Sequence, residues 1–150
     1  MRLDQPEGLV EHSLVNDWNW LRVMRFTEQI TNINKTHFRD LGNGGYTLGG
    51  LHQLIDYKSF LDELQLLLPE YYPRAGMYVS SRADSKTFPL HTDPGQYLWV
   101  WQIIGETPWE VGNQSFILKE NDMLFIKPGT PHRAIPNSPR ASITFSLEKN

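Results

Sequence analysis

His91-Thr-Asp93-Pro-Gly95-Gln-Tyr97-Leu-Trp-Val-Trp-Gln102 is the stretch on which the reading of this chain turns. It begins with an imidazole and a carboxylate two residues apart. In a strand, residues i and i+2 point the same way, so the two groups converge on one point. Pro94-Gly95 then turns the chain, and an apolar run follows. If Gln102 faces inward, Leu98 and Val100 face in with it, while Trp99, Trp101 and Ile103 face out. Two outward tryptophans would not be left in water, so something must cover that wall.

Working outward, short strands are expected at 75–80, 88–93, 97–104, 108–111, 115–118, 122–126, 131–135 and 140–147. Turn signals separate them: Asp93-Pro-Gly95, Gly112-Asn113, Asn121-Asp122 and Lys127-Pro-Gly129. Such a succession implies a sandwich or a barrel. In the last strand Arg140, Ser142 and Thr144 share one face, and Ile143, Phe145 and Leu147 share the other. His132 begins a strand after the Pro-Gly turn, 39 residues past Asp93 by the numbering. A barrel can bring it to His91 and Asp93. Two histidines and one carboxylate form the facial triad of non-heme Fe(II) oxygenases, which leaves coordination positions open on the opposite face.

The first 70 residues read differently, as mostly helical. Residues 14–30 carry a loosely helical apolar set. Residues 57–68 place Tyr57, Phe60, Leu61, Leu64, Leu67 and Leu68 on one helical face, with Asp56 as the expected cap and Pro69 just beyond the end. This helix is the natural cover for Trp99, Trp101, Ile143 and Phe145. Residues 41–50 hold five glycines and read as a loop near the site, without the strand-then-helix frame of a phosphate-binding loop. His12, His37 and His52 read as ordinary polar residues.

Bulk properties narrow the function. The chain has 150 residues, a size that suggests one domain, and 39% hydrophobic residues, enough for a core without staples. A net charge of −3 gives no reason to expect a nucleic-acid or anionic-membrane partner. There is no long apolar run and no signal-peptide pattern at the start, and Asn113-Gln-Ser115 is taken as a chance glycosylation match. With no cysteine, disulfides and thiolate metal sites are excluded. A cytoplasmic location is the expectation.

Residues 78–147 resemble the metal-binding half of the 2-oxoglutarate/Fe(II) oxygenases, most of all the JmjC-like and ribosomal-oxygenase cupins. The resemblance rests on order. His91-Thr-Asp93 is followed by Tyr97-Leu-Trp-Val-Trp-Gln102, Gly105-Glu-Thr-Pro-Trp109 and Leu118-Lys-Glu-Asn-Asp122, then Met-Leu-Phe-Ile-Lys-Pro-Gly-Thr-Pro-His132. It implies a mainly β fold, a double-stranded β-helix of the cupin or jelly-roll type; the outward tryptophans add N-terminal helices packed on one sheet. It implies Fe(II) on His91, Asp93 and His132, with nickel or zinc as competitors. It also implies 2-oxoglutarate as cosubstrate and a hydroxylase-type oxygenase of unknown substrate, a protein side chain or a small molecule.

One position departs from the pattern. Where that family carries the Lys or Arg that holds the distal carboxylate of 2-oxoglutarate, this chain has Thr107. The aspartyl/asparaginyl β-hydroxylases, which this chain also resembles around His91-Thr, place an Arg-x-Ser on the last strand instead. Arg140-Ala-Ser142 fits that arrangement, so Arg140, Ser142 and the inward Gln102 are the expected cosubstrate contacts. Thr107 keeps two alternatives open: a metal-binding cupin that does not use 2-oxoglutarate, such as a small-molecule dioxygenase or isomerase, and a non-catalytic binding module.

Overall fold

Antiparallel pairing dominates the chain. The computed structural model describes residues 1–51 and 55–149, and His52 lies outside them. The strands are β1 (Gly8–Val10), β2 (Phe38–Gly42), β3 (Gly45–Leu48), β4 (Tyr72–Ser80) and β5 (Gln96–Ile104). They continue as β6 (Thr107–Val111), β7 (Gln114–Leu118), β8 (Met123–Ile126), β9 (His132–Ala134) and β10 (Arg140–Glu148). The helices are α1 (Trp20–Ile33) and α2 (Lys58–Leu67). Among the described residues, seven strands form one sheet in the order β1-β8-β5-β10-β4-β3-β2, and β7-β6-β9 form a smaller one. The two sheets make the jelly-roll of a cupin.

The large sheet is apolar on its outer face and mixed on its inner one, and each face has its own cover. On the outer face Trp99, Trp101, Ile143 and Phe145 are all 0% exposed. Phe60 of α2 lies 4.7 Å from Phe145, ring centroid to centroid. Tyr57 meets both Phe145 and Trp101 edge-on. Tyr57 and α2 therefore cover Trp101 and Phe145 as expected, while the ring neighbours of Trp99 are Tyr97 and Phe125. On the inner face a smaller cluster of Leu98, Val100, Val111, Leu118, Leu124 and Ile126 fills the space between the sheets. The rest of that space is a cavity of about 400 Å³.

Four expectations need correction. The helix over 14–30 begins only at Trp20, because Asn19 caps it by accepting from the Arg22 N–H. Asp56 does not cap α2; Tyr57 occupies that position and makes no side-chain cap bond. The strand over 88–93 is reduced to a single bridge, His91 to His132. The glycine-rich stretch is not all loop: β2 and β3 pair as a hairpin. Asn43 and Gly44 at its tip have φ of 52° and 79°, the positive pair that an Asn-Gly hairpin turn requires. Gly45 must stay bare for a different reason, since a Cβ there would lie 2.0 Å from the Lys86 carbonyl oxygen. The first 70 residues thus contribute three strands to the large sheet, beside two helices.

Candidate metal centre and cavity

The irregular segment between β4 and β5 carries His91 and Asp93 across the cavity. The bridge holds it there: His91 N–H donates to the His132 carbonyl at 3.2 Å, and His132 N–H donates back at 2.9 Å. Asp93 Oδ2 lies 3.0 Å from His132 Nε2 and 3.4 Å from His91 Nε2. One donor atom from each of the three residues lies within 4.8 Å of the others. The sequence-derived triad is brought together.

Both imidazoles are oriented from behind. His91 Nδ1 meets the Pro89 carbonyl at 2.7 Å, and His132 Nδ1 meets the Thr130 carbonyl at 2.9 Å. A carbonyl only accepts, so each Nδ1 carries a proton; when the ring is neutral its Nε2 presents a lone pair inward, and when His132 is protonated its Nε2–H donates to Asp93. The hydrogen bond from His132 holds the Asp93 carboxyl below the usual carboxylate range, against the opposing effect of burial. For His132, burial disfavours the charged ring, but the Asp93 carboxylate and the Thr130 carbonyl outweigh it and raise the pKa. Two preset imidazole nitrogens and one ionised carboxylate, open to a cavity, fit a divalent transition metal with exchangeable positions.

Arg140 lies at the closed end of the same cavity and is 2% exposed. Strand alternation puts it on the inner face, as expected. Its Nε donates to Ser80 Oγ at 3.0 Å, one terminal nitrogen to Ser142 Oγ at 3.2 Å and the other to Thr87 Oγ1 at 3.4 Å. All three partners are neutral hydroxyls, and no carboxylate among the described residues pairs with it. Burial pushes its pKa down to about 10, so it remains charged at neutral pH.

The other expected contacts divide. Ser142 lines the cavity beside Arg140. Gln102 is buried, but it is not in the cavity wall; its amide nitrogen donates to the Ile104 carbonyl at 2.9 Å and to Thr107 Oγ1 at 3.1 Å. Thr107 is fully buried and accepts that bond, and as a hydroxyl it offers the cavity no cation. His12 and His37 stay out of the cavity wall. Sequence reasoning passed over Ser80, Thr87 and Tyr78. Tyr78 lines the cavity between Asp93 and Arg140, and burial raises its pKa, as does the Asp93 charge. The alternation of Ala75, Met77 and Val79 with Gly76, Tyr78 and Ser80 along β4 was the available signal for two of them.

Fold and site together describe a jelly-roll of the cupin type with a candidate metal centre in its cavity. Residues 75–148 match the family model of the AraC-like ligand-binding domain. No curated protein sequence matches the chain. Among solved structures it is similar to the ribosomal oxygenase YcfD of Escherichia coli in complex with cobalt and 2-oxoglutarate. The TM-score is 0.60 at 15% identity, over 71% of this chain and 32% of that one. The chain therefore spans about a third of that protein. It is also similar to KdgF from a Halomonas species (TM-score 0.55, 15% identity, 78% and 91% of the two chains). An RmlC-like cupin from Shewanella frigidimarina resembles it as well (0.52, 15%, 75% and 83%). At these identities the likeness is one of fold.

Proposed function

We propose that the chain is an Fe(II)-dependent oxygenase that takes 2-oxoglutarate as cosubstrate. The observation that carries this reading is Arg140. A guanidinium without a carboxylate partner is costly to bury, and it sits in the cavity that also holds a preset His-Asp-His triad. A dicarboxylate resolves that cost. Its keto-acid end can chelate a metal on the triad while its far carboxylate accepts from Arg140.

The residues divide the work. His91, Asp93 and His132 would hold the ion on one face. Arg140 has five N–H donors, of which three are spent on hydroxyls, leaving one on each terminal nitrogen for a carboxylate. Ser142 and Thr87 fix the plane of the guanidinium. Leu98, Val100 and Trp109 line the cavity with apolar surface, which limits water around the reacting atoms. A bound Fe(II) supplies the redox chemistry that couples O₂ reduction to decarboxylation of 2-oxoglutarate, with succinate as product.

A second reading has its own support. The match to a ligand-binding domain, together with Thr107 in place of a basic residue, suits a metal cupin that binds a different carboxylate and forms no succinate. The separating experiment incubates the chain with Fe(II), ascorbate, O₂ and 2-oxoglutarate and measures succinate. We expect formation that needs iron and disappears in His132→Ala. Succinate at background levels from a chain that has bound iron would favour the second reading.

A further inference from the structure

The open end of the cavity carries charges of its own. Arg74 on β4, Glu148 on β10 and Gln96 on β5 all line it. Register places them together: Arg74 faces Ser146, two residues before Glu148, and Glu148 faces Gln96. The side chains of Arg74 and Glu148 are 56% and 30% exposed, against the buried Arg140 at the other end of β10. The Gln96 N–H donates to the Asp93 carbonyl at 3.3 Å, so this mouth adjoins the triad.

The Arg74–Glu148 pair is loose. Nε and Oε1 are 3.8 Å apart, beyond hydrogen-bond range. Arg133 and Glu110, across β9 and β6 and outside the cavity, make the contrast. There the guanidinium forms two bonds to the carboxylate, at 3.0 and 3.2 Å. Among the described residues, Arg74 donates no side-chain hydrogen bond. Glu148 Oε2 accepts from Ser146 Oγ at 2.8 Å, and Oε1 accepts from none. Both charges therefore keep unused capacity, side by side, on a solvent-exposed part of the cavity wall.

We propose that Arg74 and Glu148 form the prime-substrate subsite and that they recognise a free α-amino acid. Its ammonium and carboxylate sit on one carbon, so they need opposite charges placed next to each other, as these are. Glu148 accepts from the ammonium, Arg74 donates to the carboxylate, and the substrate side chain extends toward the triad. That this molecule is a substrate rather than only a ligand rests on the oxygenase reading above.

The test is a binding measurement that needs no turnover. Each of the twenty standard L-amino acids is screened by saturation-transfer NMR against the full chain, and any binder is compared with its N-acetyl amide. At least one free amino acid should bind, and capping both charges should abolish its signal. Arg74→Gln and Glu148→Gln should each weaken it about 5- to 30-fold, as expected for one charge-assisted contact at a partly exposed site. Binding of 2-oxoglutarate, measured in parallel, should not change in these variants. Failure of all twenty to bind, equal binding of the capped forms, or indifference to both variants overturns the proposal. Loss of the amino-acid signal in the variants of a chain that does not bind 2-oxoglutarate would uphold the subsite and remove only the oxygenase reading.

Discussion

Replacing Arg140 with methionine should separate function from stability. The native guanidinium is 2% exposed and has only hydroxyl partners, Ser80, Ser142 and Thr87. Its burial as an unpaired cation opposes folding, and those three bonds offset part of the cost. Methionine keeps most of the volume and removes the charge. In the absence of ligand, the variant should remain within about 1 kcal/mol of the parent or exceed it, unlike the roughly 2–5 kcal/mol loss of an ordinary core truncation. Binding of 2-oxoglutarate should behave in the opposite way. Losing a charge-assisted two-bond contact suggests roughly 2–4 kcal/mol, or about 30- to 1000-fold in affinity. Arg140→Lys should recover only part of this, because an ammonium lacks the fork. Urea unfolding and calorimetric titration of the metal-loaded protein give the two numbers. A methionine variant destabilised by more than about 2 kcal/mol with intact 2-oxoglutarate binding would show the arginine to be a structural strut, refuting the anchor role.

Two further outcomes follow from the same geometry. Trp99 Nε1 is buried with no partner, whereas Trp101 Nε1 donates to Asn121 Oδ1 at 3.0 Å. Trp101→Phe should therefore cost more stability than Trp99→Phe, by about 1 kcal/mol in urea unfolding, and equal costs would count against the assignment. The second outcome concerns pH. The His132 pKa is raised above 6.5, so its contact with Asp93 stabilises the metal-free fold fully below 6.5 and fades as pH rises through the folded value. The Asp93 pKa is lowered below 3.8, so its contribution is present above 3.8 and is lost as pH falls through the folded value. A metal requires neutral His132, so its affinity should rise about tenfold per pH unit until that imidazole has lost its proton. Metal titrations between about pH 6 and 8 with no such slope would contradict the ligand assignment.

The candidate metal site was legible in part from local rules. Strand alternation turned Arg140 inward and a Pro-Gly turn introduced His132, while His91 and Asp93 converge from an irregular segment that the His91 bridge pins. The outward tryptophans announced their covering helix in the same way. What the sequence concealed depends on distant contacts. Residues 88–93 read as a strand, but only His91 finds a partner there, because the segment spans the cavity between the sheets. The Asn43-Gly44 hairpin was hidden among neighbouring glycines, although that dipeptide is a strong turn signal. The hydroxyls around Arg140 come from β4, the spanning segment and β10, and only register brings them together. Gln102 was placed correctly on the inner face, but its contact with Thr107 draws it away from the cavity.

Calorimetric titration of 2-oxoglutarate into the chain, with and without one equivalent of Mn(II) as a redox-silent substitute for iron, tests the central claim most directly. One 2-oxoglutarate should bind per chain, only when metal is present, and binding should be lost in both Asp93→Ala and Arg140→Met. Metal-loaded protein that takes up no 2-oxoglutarate, or that binds it equally well without metal, would contradict that claim.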